Sequence, residues 1–199
     1  MMTKHAVRTA TVDDLDGMTR TMARAFLDDP LINYMFPDRS QRVRGLEPFF
    51  RVMITASLRD QHEMISTTEG CTGVAMWRTP GHWKMPTRFA LGLAPTILRR
   101  FGLRNSARAF GALTTIEKLH PSQPHWYLDG LGTDPDHQRS GVGSSLVAPM
   151  LERCDNEGMP AYLECIDENV PYYRRHGFEV TGRHDFGSVT VWFMWRHPR

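Results

Sequence analysis

Several features that would place this 199-residue chain in other classes of protein are missing from it. No apolar run approaches the roughly 20 residues that a membrane-spanning helix needs. The cysteines, Cys71, Cys154 and Cys165, are odd in number and lack metal-site spacing, so we expect reduced, partly buried thiols and no bound metal. The net charge is only +2 and the basic residues are scattered, whereas nucleic-acid binding usually needs a clustered basic face. Membrane and nucleic acid are therefore excluded as main partners.

Signals for export and for several domains are missing as well. The first five residues are not followed by the apolar core of a secretory signal, which favours a cytoplasmic location. Hydrophobic residues make up 41% of the chain, enough to bury one sizeable core. No linker, repeat or low-complexity tract interrupts the sequence. We therefore expect a single domain over residues 1–199.

The glycine-containing segment 138–143 lacks two common phosphate-binding motifs. A Rossmann loop needs a glycine three residues after Gly143, where Leu146 stands, and a Walker loop needs a lysine, which the segment does not contain. The segment nevertheless lies between two recognisable elements. A strand-like run over 125–133 ends at Asp134–Pro135, and apolar residues at helical spacing follow the loop. These apolar residues are Leu146, Val147, Met150 and Leu151.

A strand, a glycine loop and a helix in that order form an anion site. The first turn of a helix has backbone N–H groups without intrahelical partners, and the helix dipole favours negative charge there. Glycine at positions 141 and 143 would let a phosphate approach the backbone without meeting a Cβ. Arg139 could add a positive charge. The sequence therefore predicts a pyrophosphate-binding loop.

The order of the other elements is not the regular alternation of a doubly wound sheet. Residues 31–37 form an apolar, aromatic connection that either packs into the core or lines an acceptor pocket. Residues 84–123 predict two helices, and the basic cluster within them is read as a solvated helix face. The remaining predicted elements are a strand at 6–9, helices beginning near Thr11 and Ser40, strands at 62–67 and 73–77, a strand at 161–166, a short helix reaching His176, and closing strands at 178–183 and 189–195.

Two segments resemble signatures of one enzyme family. Gln138-x-x-Gly141-x-Gly143, preceded by Leu131-x-Thr133-x-Pro135, resembles the acyl-CoA loop of the GNAT superfamily of N-acetyltransferases. Asn169 to Phe178, with Tyr173 followed by three residues and Gly-Phe, resembles the second signature of that family. The run 125–138 and the segment 162–164 are similar to the puromycin N-acetyltransferase branch.

The resemblance implies an α/β fold with a mixed, mostly antiparallel central sheet of about seven strands flanked by helices. Residues 84–123 would be a helical insertion between strands 3 and 4 and a lid over the acceptor pocket. The resemblance also implies an N-acetyltransferase with acetyl-CoA as its co-substrate. The acetyl group would pass to a primary amine of a small molecule by direct attack in a ternary complex. A homodimer is an expectation at the level of the family.

The resemblance also assigns roles to individual residues. The N–H of Leu131 would stabilise the oxyanion, beside a bulge at Gly130, and Tyr173 would protonate the departing thiolate. Glu164 would accept the proton of the amine, with Asp129 or a chain of water molecules as alternatives. His125, His137 and His176 could titrate near neutrality, but their spacing selects none of them. The cofactor-binding residues would be Leu131, Gly132, Thr133, Gln138, Arg139, Ser140, Gly141, Val142, Gly143, Ser144, Asn169 and Tyr173.

Two other functions remain open from the sequence. Acetylation of a protein lysine or N-terminus would need an open groove, whereas the insertion at 84–123 favours a covered pocket. A non-catalytic sensor could bind acyl-CoA without turnover, although the presence of Tyr173 and Glu164 argues against it. Because the resemblance is weakest over 84–123, where the acceptor would be chosen, puromycin itself does not carry over as the substrate.

Overall fold

A seven-stranded sheet forms the centre of the fold. The computed structural model describes residues 5–84 and 86–199, with the backbone alone for 88–90, so the expectation for the first four residues lies outside it. All neighbouring strands are antiparallel except β4 and β5, which are parallel. The sheet order is β1-β2-β3-β4-β5-β7-β6, which confirms the predicted mixed sheet. The strands are β1 (Val7–Thr9), β2 (Glu63–Thr68), β3 (Gly73–Arg78), β4 (Trp126–Thr133), β5 (Ala161–Ile166), β6 (Glu179–Phe186) and β7 (Val189–Arg196).

Helices cover both faces of this sheet. They are α1 (Leu15–Ala25), α2 (Pro30–Met35), α3 (Arg39–Ser57), α4 (Thr87–Leu119), α5 (Val142–Asn156) and α6 (Val170–Arg175). In the part of the chain that the structure describes, no helix combines the length and apolar character that a membrane crossing requires. The helix between β3 and β4 confirms the predicted helical insertion.

Two local features differ from the expectation. The connection at 31–37 contains the six-residue helix α2, whose first turn is set by Pro30 and capped by the Asp29 carboxylate at 2.9 Å from the Ile32 nitrogen. Helix α3 is capped by Asp38, which accepts from the Ser40 nitrogen at 2.8 Å, so Ser40 lies inside the helix. A helix this short carries too few apolar repeats for the sequence period to show it.

Helix α4 is two helices that meet at Gly102, as the sequence predicted. Gly102 has φ of 77°, a left-handed conformation that interrupts the helix. The Phe101 ring stacks on Phe36 with ring centres 3.8 Å apart, and it occupies the space that a Cβ at Gly45 would need. The insertion is therefore fixed to α3 at its bend.

The sheet separates two apolar cores. We call the side covered by α1 to α4 the front face and the side covered by α5 and α6 the back face. Alternation along β3 shows the division, because Val74 and Met76 belong to the front core and Ala75 and Trp77 to the back core. Along β5, Tyr162 faces the front and Leu163 the back.

Candidate active site

Strands β4 and β5 diverge and open an edge in the middle of the sheet. They pair in parallel only at Trp126 with Ala161 and at Tyr127 with Tyr162. Beyond this point β4 pairs with β3 alone, and it does so with a bulge, since Gly130 lies opposite Met76 while Leu128 lies opposite Trp77. The bulge predicted at Gly130 is thus centred on the neighbouring Asp129, the residue left without a partner. The β5-facing edge of residues 129–133 can accept an extended ligand.

The loop after β4 presents backbone N–H groups at the start of α5. Gly141 has φ of 95° and Arg139 has φ of 62°, so the chain turns sharply before the helix begins. The Ser145 nitrogen donates to the Gly141 oxygen at 2.9 Å, the first bond of the helix. The amides at 141–144 have no backbone acceptor within the described residues, and the positive end of a 15-residue helix adds to them. This geometry can bind a phosphate group.

Side chains hold this loop in position. The Gln138 amide donates to the Thr133 carbonyl at 3.4 Å, and the Ser140 hydroxyl donates to the His137 carbonyl at 2.6 Å. Arg24 of α1 pairs with Asp134 at 3.3 Å and with Asp136 at 2.9 Å. Gln138, Ser140 and the acidic residues therefore shape the loop, while Arg139 is exposed beside it.

Two of the predicted cofactor glycines also have packing roles. A Cβ at Gly132 would lie 2.6 Å from the Met22 sulfur and 3.3 Å from the Ala25 Cβ, so a side chain there would displace the Met22 side chain and crowd α1 against β4. A Cβ at Gly143 would lie 3.1 Å from the Tyr172 hydroxyl, so the lack of a side chain at Gly143 lets α6 approach α5. Both glycines thus keep helices close to the loop.

Tyr173 is buried on the back face beside the divergence of the strands. Its ring meets the Phe178 ring edge-on at 5.9 Å, and burial raises the pKa of Tyr173 well above its ordinary value. The phenol is therefore protonated at neutral pH. In the same helix region the Ser144 hydroxyl lies 3.2 Å from His176 Nε2, which joins the loop to the end of α6. Asn169, just before α6, is exposed and makes no side-chain hydrogen bond within the described chain.

Glu164 lies on the front face, at the mouth of the divergence. Its side chain is only 10% exposed and its Oε1 lies 3.2 Å from Nδ1 of His120, which follows α4 directly. The His120 ring stacks on Trp83 with centres 3.8 Å apart. Burial raises the pKa values of the Tyr127 and Tyr162 phenols, and the nearby Glu164 carboxylate raises them further. The end of the insertion therefore closes over the Glu164 carboxylate.

Asp129 is engaged in a separate cluster of charges. Its carboxylate lies 3.1 Å from Arg78 Nε, and Arg78 Nη2 lies 2.5 Å from the Glu63 carboxylate. Arg78 and Glu63 are almost completely buried. Burial raises the pKa of Glu63 to about 7 although the Arg78 charge opposes the shift. One guanidinium thus pairs with two carboxylates, and Asp129 is held in this cluster.

The structure brings the predicted residues of β4, the loop and α6 into one region, with Glu164 across the sheet from Tyr173. The expectation that His125 could titrate near neutrality is wrong, because burial lowers its pKa to about 4. Burial also lowers the pKa of His176 below its ordinary value. Sequence reasoning missed His120, Arg78 and Glu63. Since these residues lie far from Glu164 or Asp129 along the chain, the only available signal was the position of His120 at a predicted helix end, before Pro121.

Comparisons with known proteins agree with this arrangement. The model of the acetyltransferase (GNAT) family matches residues 76–178. An uncharacterized N-acetyltransferase of Schizosaccharomyces pombe is 25% identical over 184 residues, which cover 87% of this chain and 74% of that protein. A Corynebacterium glutamicum structure named as a histone acetyltransferase and related acetyltransferase superimposes with a TM-score of 0.76, at 24% identity, covering 98% of this chain and 97% of its own.

A third similar structure contains the cofactor. The PaiA N-acetyltransferase of Thermoplasma acidophilum, solved in complex with coenzyme A, has a TM-score of 0.58 at 11% identity and covers 96% of this chain and 98% of its own. At this identity the likeness concerns the fold. The family model spans more than half of the sequence and includes the divergent strands, the glycine loop and α6. The chain therefore belongs to the GNAT acetyltransferase family and is an acyltransferase with acetyl-CoA as its co-substrate.

Proposed function

We propose that the protein acetylates a primary amine of a small molecule, by direct attack of the amine on acetyl-CoA in a ternary complex. The observation that carries this proposal is the position of Glu164 beneath the end of the insertion. Its side chain is 10% exposed and is covered by His120, which in turn stacks on Trp83. A carboxylate in such a covered position can serve a compact acceptor, whereas a polypeptide would need an open groove across the front face.

The cofactor residues proposed from the sequence fit the geometry of the loop. The amides at 141–144 point out of the first turn of α5 and would bind the pyrophosphate, with Arg139 beside them. The open edge of β4 at Leu131, Gly132 and Thr133 would pair with the amides of pantetheine. Gln138 and Ser140 would hold the loop in shape, and Asn169 would contact the cofactor from the start of α6. Acetyl-CoA supplies an acetyl group activated as a thioester.

The chain's own groups would divide the proton transfers between the two faces of the sheet. The Leu131 N–H would stabilise the oxyanion of the tetrahedral intermediate. Glu164, on the front face, would accept the proton that the amine nitrogen loses as it attacks. Tyr173, on the back face, would donate its phenolic proton to the departing thiolate. Burial keeps that phenol protonated at neutral pH, which a general acid requires.

Replacement of Glu164 tests the proposal. We expect Glu164→Gln to lower kcat by ~10²–10³ without changing the dissociation constant of coenzyme A, because only the proton acceptor is lost. The measurement is thiol release from acetyl-CoA with a panel of small amines. Glu152→Gln, at an exposed position of α5, is the matched control and should retain full activity. Full activity of Glu164→Gln would show that the proton leaves by another route, through Asp129 or water.

The same panel separates the alternative functions. It should include peptides with a free N-terminus and peptides with an internal lysine. Faster turnover of peptides than of any small amine would favour protein acetylation. Tight coenzyme A binding with no thiol release on any acceptor would favour an acyl-CoA sensor. A lid function of residues 84–123, a single domain, cytoplasmic location and a homodimer stay predictions.

A further inference from the structure

A chain of hydrogen bonds leads away from Glu164 into the protein. His120 Nδ1 lies 3.2 Å from Glu164 Oε1, and His120 Nε2 lies 2.9 Å from His125 Nε2. His125 Nδ1 lies 2.6 Å from the backbone oxygen of Gln123. The chain thus ends on a carbonyl, which can accept a hydrogen bond but cannot donate one.

That carbonyl fixes the direction of every bond in the chain. His125 Nδ1 must carry a hydrogen in order to donate to Gln123. Burial lowers the pKa of His125 to about 4, so the ring is neutral at neutral pH and its Nε2 has a lone pair. His120 must then donate from its own Nε2. His120 therefore turns its Nδ1 towards Glu164 with no hydrogen of its own unless the ring takes up a second proton.

The contact between Glu164 and His120 consequently favours the presence of one added proton. Without it, a carboxylate lone pair and an imidazole lone pair face each other at 3.2 Å. With it, the two groups share a hydrogen bond, whichever of them holds the proton. Uptake of a proton removes this repulsion and creates a charge-assisted hydrogen bond between the two groups.

The surroundings keep this arrangement from relaxing. The His120 side chain is 2% exposed and is stacked on Trp83, with Tyr127 and Tyr162 edge-on to it at 4.7 and 4.6 Å. The other titratable groups that face the pair are these two phenols, whose pKa values are raised, and His125. Asp129, which with Glu164 raises the pKa of Tyr127, is paired with Arg78, and Arg78 also pairs with Glu63.

We propose that Glu164 and His120 act as one proton-accepting unit, set in a single hydrogen-bonding direction by His125 and the Gln123 carbonyl. When the amine nitrogen bonds to the acetyl carbon and the bond to sulfur breaks, the proton lost by nitrogen lies between Glu164 and His120. The thiolate takes its proton from Tyr173. His120 and His125 are positioning residues in this reaction. The proposal rests on the proposed function, and it assigns the end of the insertion to the chemistry as well as to covering the pocket.

His125→Asn tests the direction of the chain. The asparagine amide can replace Nδ1 as the donor to Gln123, but its side chain is too short to place an acceptor where Nε2 lies. His120 is then free to present Nδ1–H to an unprotonated Glu164, so the unit holds its proton less tightly. We expect the midpoint of the acidic limb of the kcat/KM profile to move to lower pH, and the plateau to fall about 10-fold because the base is weaker. His197→Asn, at an exposed histidine, should leave both unchanged. A lower rate with an unmoved midpoint would overturn the proposal.

Two further measurements keep the inference testable if that variant does not fold. Nitrogen NMR of the unmodified protein should show His125 with hydrogen on Nδ1 and none on Nε2, and the opposite tautomer would overturn the proposal. His120→Asn should lower kcat about 10- to 100-fold and leave coenzyme A affinity unchanged. If His120→Asn retains full kcat while Glu164→Gln is inactive, the pair is refuted and the proposed function stands. If both variants retain full activity, Glu164 is not the base in the proposed function.

Discussion

The two faces of the sheet differ in what they offer to a reaction. The back face, with the loop before α5, presents mainly backbone groups, namely the amides at 141–144 and the open edge of β4. The front face presents side chains that come from β2, β3, β4, β5 and the end of α4. A ligand of constant structure can be held by backbone, which hardly varies with sequence. A variable acceptor has to be selected by side chains, and in the proposed function His120, at the end of the insertion, would be one of them.

The largest expected effect concerns the one side chain of the back face that we place in the chemistry. Tyr173→Phe should lower kcat by ~10²–10⁴, because the thiolate loses its proton donor while the ring still packs against Phe178. The dissociation constant of coenzyme A, measured by calorimetry, should barely change. If turnover is unchanged, water protonates the thiolate, and the back face contributes only backbone groups to the reaction.

The front face should be more sensitive to loss of a charge than the back face. Arg78→Met leaves Glu63 and Asp129 without their cation in a buried position, and we expect it to lower the free energy of unfolding by about 3–5 kcal/mol. The measurement is urea denaturation. Arg20→Met, at an exposed position of α1, is the control and should change stability little.

A second set of variants tests whether unpaired charge causes the loss of stability in Arg78→Met. Adding Glu63→Gln and Asp129→Asn to Arg78→Met removes the charges that were left unpaired, so the triple variant should recover much of the lost stability. If it is no more stable than Arg78→Met alone, the loss comes from packing of the guanidinium rather than from unpaired charge.

The loop before α5 should differ from the Arg78 cluster, because distorting its backbone should weaken coenzyme A binding more than it lowers the stability of the fold. Gly141→Val places a β-branched residue at φ of 95°, which such residues avoid, and moves the amides of the first turn of α5. We expect the dissociation constant of coenzyme A to rise about 10- to 100-fold, which corresponds to about 1.4–2.8 kcal/mol. Unchanged affinity would mean that the phosphates lie elsewhere.

The last comparison concerns the pH dependence of stability. Burial raises the pKa of Glu63 from 4.5 to about 7, so between these values the folded protein binds more protons than the unfolded chain. The contribution of Glu63 to stability is therefore present below about pH 4.5 and is lost as the pH rises through about 7, by up to about 3 kcal/mol. Urea denaturation of the protein and of Glu63→Gln at about pH 5 and about pH 8 measures it. If the stability of both proteins changed equally between these pH values, Glu63 would not be the source of the pH dependence.

The two faces also differ in how well the sequence predicts them. The loop and α6 could be predicted because their groups lie within one stretch, 131–178, where glycine positions and helix spacing report backbone geometry directly. The front-face contacts could not, because His120 meets Glu164 only when α4 packs beside β5. Likewise, Arg78 meets Glu63 and Asp129 only when β2, β3 and β4 lie side by side. Helix α2 was missed for a different reason, since its six residues show no helical period and, unlike the equally short α6, it is not followed by a glycine.

A co-crystal structure with acetyl-CoA would show whether the cofactor joins the two faces of the sheet. We expect the pyrophosphate oxygens to lie within hydrogen-bonding distance, about 3 Å, of the amides at 141–144. We expect the thioester to lie where β4 and β5 diverge, between Tyr173 on one side and Glu164 on the other. A cofactor bound away from this loop, or a thioester facing only one of these two residues, would contradict these expectations.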